Sequence, residues 1–177
     1  MSEIYPLGKF HKVPAIPPIP QHCITVEAGP IRFVVESRQL TAHLAAQGGD
    51  AIAAIAAQYE DGAIDDYGAS LHVYGAEDNL EYLRFDCFAN EPHYHYMRNS
   101  EDGQVVCRFD DIAEGDSIAW TVRCIRNRLP EMLAFAGVPE LGETVRLKYA
   151  EVLGVVDQVE SMLSAADQKS ITMHGQI

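Results

Sequence analysis

The amino-acid sequence predicts an α+β fold, an antiparallel sheet of about 4–6 strands with helices packed on one face and a proline-rich arm in front. Three observations carry this. Between residues 69 and about 110 apolar and polar residues alternate with a period of two, as in strands whose faces differ. From residue 116 the apolar spacing changes to fours and threes, as in helices. No glycine-rich phosphate loop and no strand–helix–strand alternation occurs, which argues against a parallel nucleotide-binding sheet.

Composition narrows the class further. The 177 residues suit a single domain with an adequate core, expected over residues 23–166. Twenty-six acidic residues against 13 basic ones give a net charge of −13, a field that repels nucleic-acid phosphate. Charges interrupt every apolar stretch well before ~20 residues, so no membrane partner is expected. Acidic Glu3 and the lack of an apolar run after a basic region give no secretory signal, and the expected location is cytoplasmic. Cys23, Cys87, Cys107 and Cys124 form no CxxC pair, which argues against a zinc ribbon or a redox dithiol.

Element by element, residues 1–22 contain Pro6, Pro14, Pro17, Pro18 and Pro20, a density that favours an extended arm. Ile4, Tyr5, Leu7, Phe10, Val13, Ile16 and Ile19 make it apolar, so it is expected to lie across the body or across a second subunit. Cys23–Ala28 and residues 31–36 read as a hairpin around Gly29-Pro30. Ser37 reads as an N-cap, opening a helix through Leu40 and Leu44, with Asp50 recapping a second piece after Gly48-Gly49. Asp116-Ser117 begins a long helix containing Pro130 and ended by Gly137-Val138-Pro139. A final helix is expected from about Glu143, with Val145, Tyr149, Val152, Val156, Val159 and Leu163 forming a narrow seam. That seam suits packing inside the chain or a homodimer, formed through this helix or through the arm. Residues 167–177, including His174, are expected to be a flexible tail. Arg123, Arg126 and Arg128 are read as surface salt-bridge partners.

Chemistry concentrates in Phe85–Tyr96, where His93 and His95 stand two residues apart and therefore on one face of a strand. Reading an even loop at residues 89–92 and a two-residue turn at Asp102-Gly103 sets the register across three strands. One row then contains Asp86, His95 and Asp110, and the next Arg84, Met97 and Arg108. The reverse face, with Phe85, Cys87, Tyr94, Tyr96 and Cys107, must meet the helices, which makes Cys87 core. His72 falls at the rim of the polar face.

Two histidines and a carboxylate on a sheet form a ligand set for iron, zinc or manganese. His93, His95 and Asp86 are the expected ligands, and Asp110 is a fourth ligand or the acceptor that orients His95. Without a metal, His95 between Asp86 and Asp110 suits general acid/base catalysis. Arg84 and Arg108 would then clamp an organic anion, against an aromatic wall of Tyr74, Tyr82 and Phe88. The function expected is a small enzyme acting on a small organic anion, with or without a divalent metal. The alternatives are a metal-free lyase, decarboxylase or isomerase acting on an aromatic carboxylic acid, and a non-catalytic assembly module.

Pro92-His93-Tyr94-His95 followed by Glu101 resembles the first metal motif of cupins, a histidine pair ahead of a glutamate. The resemblance covers about ten residues and implies a small β-barrel as the alternative architecture. The histidine–glutamate gap is longer than in cupins, the upstream glycine is absent, and no second histidine motif follows.

Overall fold

A computed structural model describes residues 4–5, 8–12, 15–41, 65–99 and 103–175. Its strands are β1 (Ile4–Tyr5), β2 (Gly8–His11), β3 (Cys23–Ala28), β4 (Ile31–Thr41), β5 (Asp65–Gly75), β6 (Glu81–Phe88), β7 (His93–Arg98) and β8 (Gly103–Arg108). They form one antiparallel sheet in the order β1-β2-β8-β7-β6-β5-β4-β3. The sheet is open, with β1 and β3 as its edges, so the cupin-like barrel is not the architecture. The strand number exceeds the expected range because part of the arm joins the sheet.

The hairpin at Gly29 forms as expected, the glycine adopting φ 65°. Strand β4, however, continues through Ser37 to Thr41 where a helix was expected to begin. Ser37 is buried in the strand interior and caps nothing. Pairing with β5, from Ile31↔Gly75 to Thr41↔Asp65, overrides its capping preference. The expected helices between residues 42 and 59 lie outside the described residues.

The helices are α1 (Asp111–Glu114), α2 (Ser117–Phe135), α3 (Pro139–Leu147), α4 (Tyr149–Leu153) and α5 (Val156–His174). Asp116 caps α2 by accepting from Ala119 N at 2.8 Å. Helix α2 runs through buried Pro130, and Gly137 at φ 97° follows its end. The expected final helix is three pieces, interrupted at Lys148 and Gly154. Its seam persists across the breaks: Val145, Val152, Val156, Val159 and Leu163 are all wholly buried in the chain's own core. The last helix also replaces the flexible tail expected from residue 167. Ser170 is buried, its carbonyl accepting from Gln39 Nε2 at 2.6 Å, and the ring of His174 stacks on Tyr67 at 4.2 Å.

Helices α2 and α5 cover one face of the sheet, α5 on β4 and β5 and α2 on β6. Phe33, Leu71, Leu83, Phe85 and Val105 meet Ile125, Leu129, Leu133 and Leu163 there, forming the core. Cys87 points to this side, 3.5 Å from the Thr121 hydroxyl, as expected of a core residue. On the helix surface Arg123 pairs with Glu114 and Arg126 with Asp157. The opposite face of the sheet is polar and yet largely buried.

Candidate functional site

Two adjacent cross-strand rows build the polar face. One reads Glu36, Ser70, Asp86, His93 and Arg108 from β4 to β8. The other reads Val34, His72, Arg84, His95, Val106 and Lys9, ending on β2. Strand alternation alone puts these side chains on one side. Residues 15–22 of the arm cross over this face as a strap. Ile16 O accepts from Arg38 Nη2 at 3.0 Å and from Arg84 Nη1 at 2.8 Å, and Ile19 N donates to Glu36 Oε1 at 2.8 Å. The arm therefore lies across its own chain here and covers the polar face where β4 to β6 carry Glu36, Arg38 and Arg84, while Lys9 and Arg108 at the other end of the face are exposed.

Asp86, His93 and His95 converge, one ligand atom from each lying within 4.8 Å of the others. Asp86 Oδ2 is 2.9 Å from His95 Nε2 and 3.3 Å from His93 Nε2. The remaining polar atoms of the triad are engaged from outside it. His93 Nδ1 donates to the Glu91 carbonyl at 2.7 Å, and His95 Nδ1 to Gln104 Oε1 at 2.7 Å. Ser70 Oγ donates to Asp86 Oδ1 at 2.5 Å. A carbonyl can only accept, so the Nδ1 proton of His93 is fixed and a neutral ring presents its Nε2 lone pair to Asp86. His95 stands in the same relation to Gln104. Two lone pairs aimed at one carboxylate oxygen are stable only with a proton or a cation among them.

The protonation energetics match this crowding. Burial opposes charge on Asp86, but the hydrogen bonds and charges of the two imidazoles outweigh it and hold the carboxyl well below its usual 3.8. Burial lowers His95 to about 4, against the pull of Asp86. For His93 burial also works downward, yet Asp86 and the Glu91 carbonyl prevail and its proton affinity is raised above 6.5. The triad thus holds one proton firmly, on the His93 side. Its donor set could equally hold a metal ion in place of that proton.

A buried charge network adjoins the triad. His72 lies between Glu81 Oε1, 2.7 Å from its Nδ1, and Glu36 Oε2, 3.2 Å from its Nε2. Glu81 is bidentate to Arg84, with two contacts of 2.8 Å, and Glu36 takes Arg38 at 2.6 Å. Burial tends to raise Glu81, but Arg84 and His72 pull it down to about 2.

The observed registers move several expected residues. The β6–β7 ladder ends at Asp86↔His93, two residues from the expected pairing, so the connection between the two paired segments runs through residues 87–92 rather than 89–92. The β7–β8 ladder closes at Arg98↔Gly103, a longer loop than the two-residue turn read at Asp102-Gly103. His95 consequently faces Val106, and Asp110 lies beyond the strand as the exposed N-cap of α1, accepting from Ala113 N at 3.0 Å. It is neither a ligand nor an orienting acceptor; Gln104 supplies that contact. Tyr82 is the extra residue of a β-bulge opposite Val73 and Tyr74, and joins the core with its hydroxyl on Asp78. Arg84 is buried in its ion pair and does not present an open clamp. Arg108 and Phe88 do line a cleft beside the triad, with Phe88 edge-on to His93 at 5.6 Å.

That cleft has a volume of about 510 Å³, within the range of small-molecule sites. Sequence reasoning missed Glu36, Arg38, Ser70, Glu81 and Gln104. Alternation along residues 33–38, with Phe33 and Val35 against Val34, Glu36 and Arg38, carried the signal for the first two.

An open antiparallel sheet with helices on its dry side and a buried two-histidine, one-carboxylate group beside a cleft defines an α+β protein with a candidate metal centre. The chain belongs to the DUF7700 family, a domain of unknown function, whose model matches residues 25–163. No curated protein and no solved structure matches it.

Proposed function

We propose that the protein is a small metal-dependent enzyme acting on a small organic anion, with Asp86, His93 and His95 as the protein ligands of one divalent ion. The observation that supports this best is the outward orientation of the triad. Both Nδ1 atoms and one carboxylate oxygen are hydrogen-bonded from outside, leaving two Nε2 atoms and Oδ2 aimed at one point beside a cleft. Two histidines and a carboxylate suit iron, zinc or manganese, and leave positions for water or substrate. Such an ion would act as a Lewis acid or lower the pKa of bound water. The protein would contribute orientation through Ser70, Gln104 and Glu91, and exclusion of water through the strap.

Elemental analysis tests the reading. After anaerobic loading with Fe(II), Zn(II) or Mn(II) and desalting, the protein should retain about one ion per chain. The His93→Ala/His95→Ala variant should retain almost none while keeping its circular dichroism spectrum. Equal trace metal in both proteins would end the proposal.

A metal-free reading is favoured by one observation, the raised proton affinity of His93 beside an ionised Asp86. That pair would act as a general acid in a lyase, decarboxylase or isomerase on an aromatic carboxylic acid. It would hold if no metal binds and activity disappears in a folded His93→Asn protein.

A further inference from the structure

Four cationic side chains line the cleft of this strongly acidic chain, Lys9, Arg38, Arg84 and Arg108. Two of them are already engaged. Arg38 binds Glu36 and Arg84 binds Glu81, and both donate to the strap at Ile16 O. Lys9 and Arg108, by contrast, form no hydrogen bond or ion pair with any described residue. They are also close together. Lys9 pairs across the sheet with Val106, and Arg108 is two residues further along the same face of β8, a diagonal separation of roughly 7–8 Å.

Arg108 in turn stands directly opposite His93 on β7, so the cation pair flanks the triad. The walls between are apolar as well as charged, with Phe88, Phe109 and Val106 lining the same cleft. Glu91 and Asp111 also line it, yet neither bonds to Lys9 or Arg108. Two unneutralised cations beside an apolar wall are complementary to a carboxylate carried on an apolar body.

We propose that Lys9 and Arg108 form the recognition subsite for the carboxylate of an organic acid, whose other end reaches the Asp86, His93, His95 group. The assignment rests on the triad being the reacting end, and it replaces Arg84 as the clamp. It also divides the site along the chain. The triad and Arg108 lie within the family-matched residues 25–163, whereas Lys9 arrives on β2 from the segment before them. Substrate choice is then partly delivered by the N-terminal strand, and metal binding is not.

The test uses the full chain loaded with Zn(II), titrated calorimetrically with benzoate, its neutral isostere benzamide, and inorganic phosphate. Benzoate should bind at least about tenfold more tightly than benzamide, and more tightly than phosphate. Lys9→Gln and Arg108→Gln should each weaken benzoate about tenfold, and together by up to about a hundredfold, with zinc content and circular dichroism unchanged. Undetectable benzoate binding, equal affinity for benzamide, tighter binding of phosphate, or an undiminished affinity in the double variant would overturn the subsite. The two proposals fail separately. Zinc retained without benzoate binding sinks only the subsite, while benzoate binding that needs Lys9 and Arg108 in a protein that takes up no metal sinks only the metal reading.

Discussion

His93 and His95 share one carboxylate and differ in what surrounds them, and the difference sets a measurable pH response. For metal-free protein, His95 has its pKa lowered from 6.5 to about 4, so between those values the unfolded chain takes up a proton that the folded one resists. Its effect is a loss of stability as pH falls from about 6.5 towards 4. His93, raised above 6.5, acts in the other direction. Its contribution is complete below 6.5 and disappears as pH rises through its folded value. The depressed Asp86 contributes above 3.8 and is lost only as pH falls through its own folded value. The thermal midpoint should therefore pass through a maximum near pH 6.5. His95→Gln should flatten the acid limb and His93→Gln the alkaline limb. Identical pH profiles in all three proteins would contradict the assignment of protons.

Strands β5 and β6 carry Ser70, His72, Arg84 and Asp86, and their spacing is set where Gly68 meets Phe88. A Cβ at residue 68 would stand 2.3 Å from the Cys87 carbonyl oxygen and 2.9 Å from the Phe88 Cα, both backbone atoms. Gly68→Ala should thus cost about 1–3 kcal/mol in chemical denaturation and displace Phe88 from the cleft. A substitution within about 0.5 kcal/mol of the parent would show that the strands separate freely. Element-scale physics also explains what the sequence made legible. The sides of β6, β7 and β8 were readable because both loop misreadings shifted register by an even number of residues, which preserves the face. His93, His95, Asp86 and Phe88 survived for that reason, whereas Asp110 depended on the row and did not. Gln104 could not be recognised while Asp102-Gly103 was read as the tip of the turn. Arg38 was hidden by Ser37, whose capping preference marked a helix where eleven residues of pairing keep a strand.

At the scale of the whole molecule, the sheet separates a dry core from a buried layer of charge. Glu36, Arg38, His72, Glu81 and Arg84 interlock beneath the strap, and removing one partner strands another. Glu81→Gln should destabilise the fold by about 3–5 kcal/mol, since buried Arg84 loses its bidentate partner. Urea denaturation measures this, and the paired replacement Glu81→Leu/Arg84→Met should recover most of the loss. A single variant costing under about 1 kcal/mol would mean that water reaches the network.

The composition of the strap follows from the layer it covers. Of residues 15–20, Pro17, Pro18 and Pro20 have no backbone N–H, while all six keep a carbonyl. The stretch is in effect a tape of acceptors. Laid over guanidinium groups, it can answer Arg38 and Arg84 from its main chain while bringing few donors that would themselves need partners, and the Ile19 N–H goes to Glu36. Proline density in this segment, which by itself suggests a loose arm, is the backbone chemistry suited to sealing a cationic surface away from water.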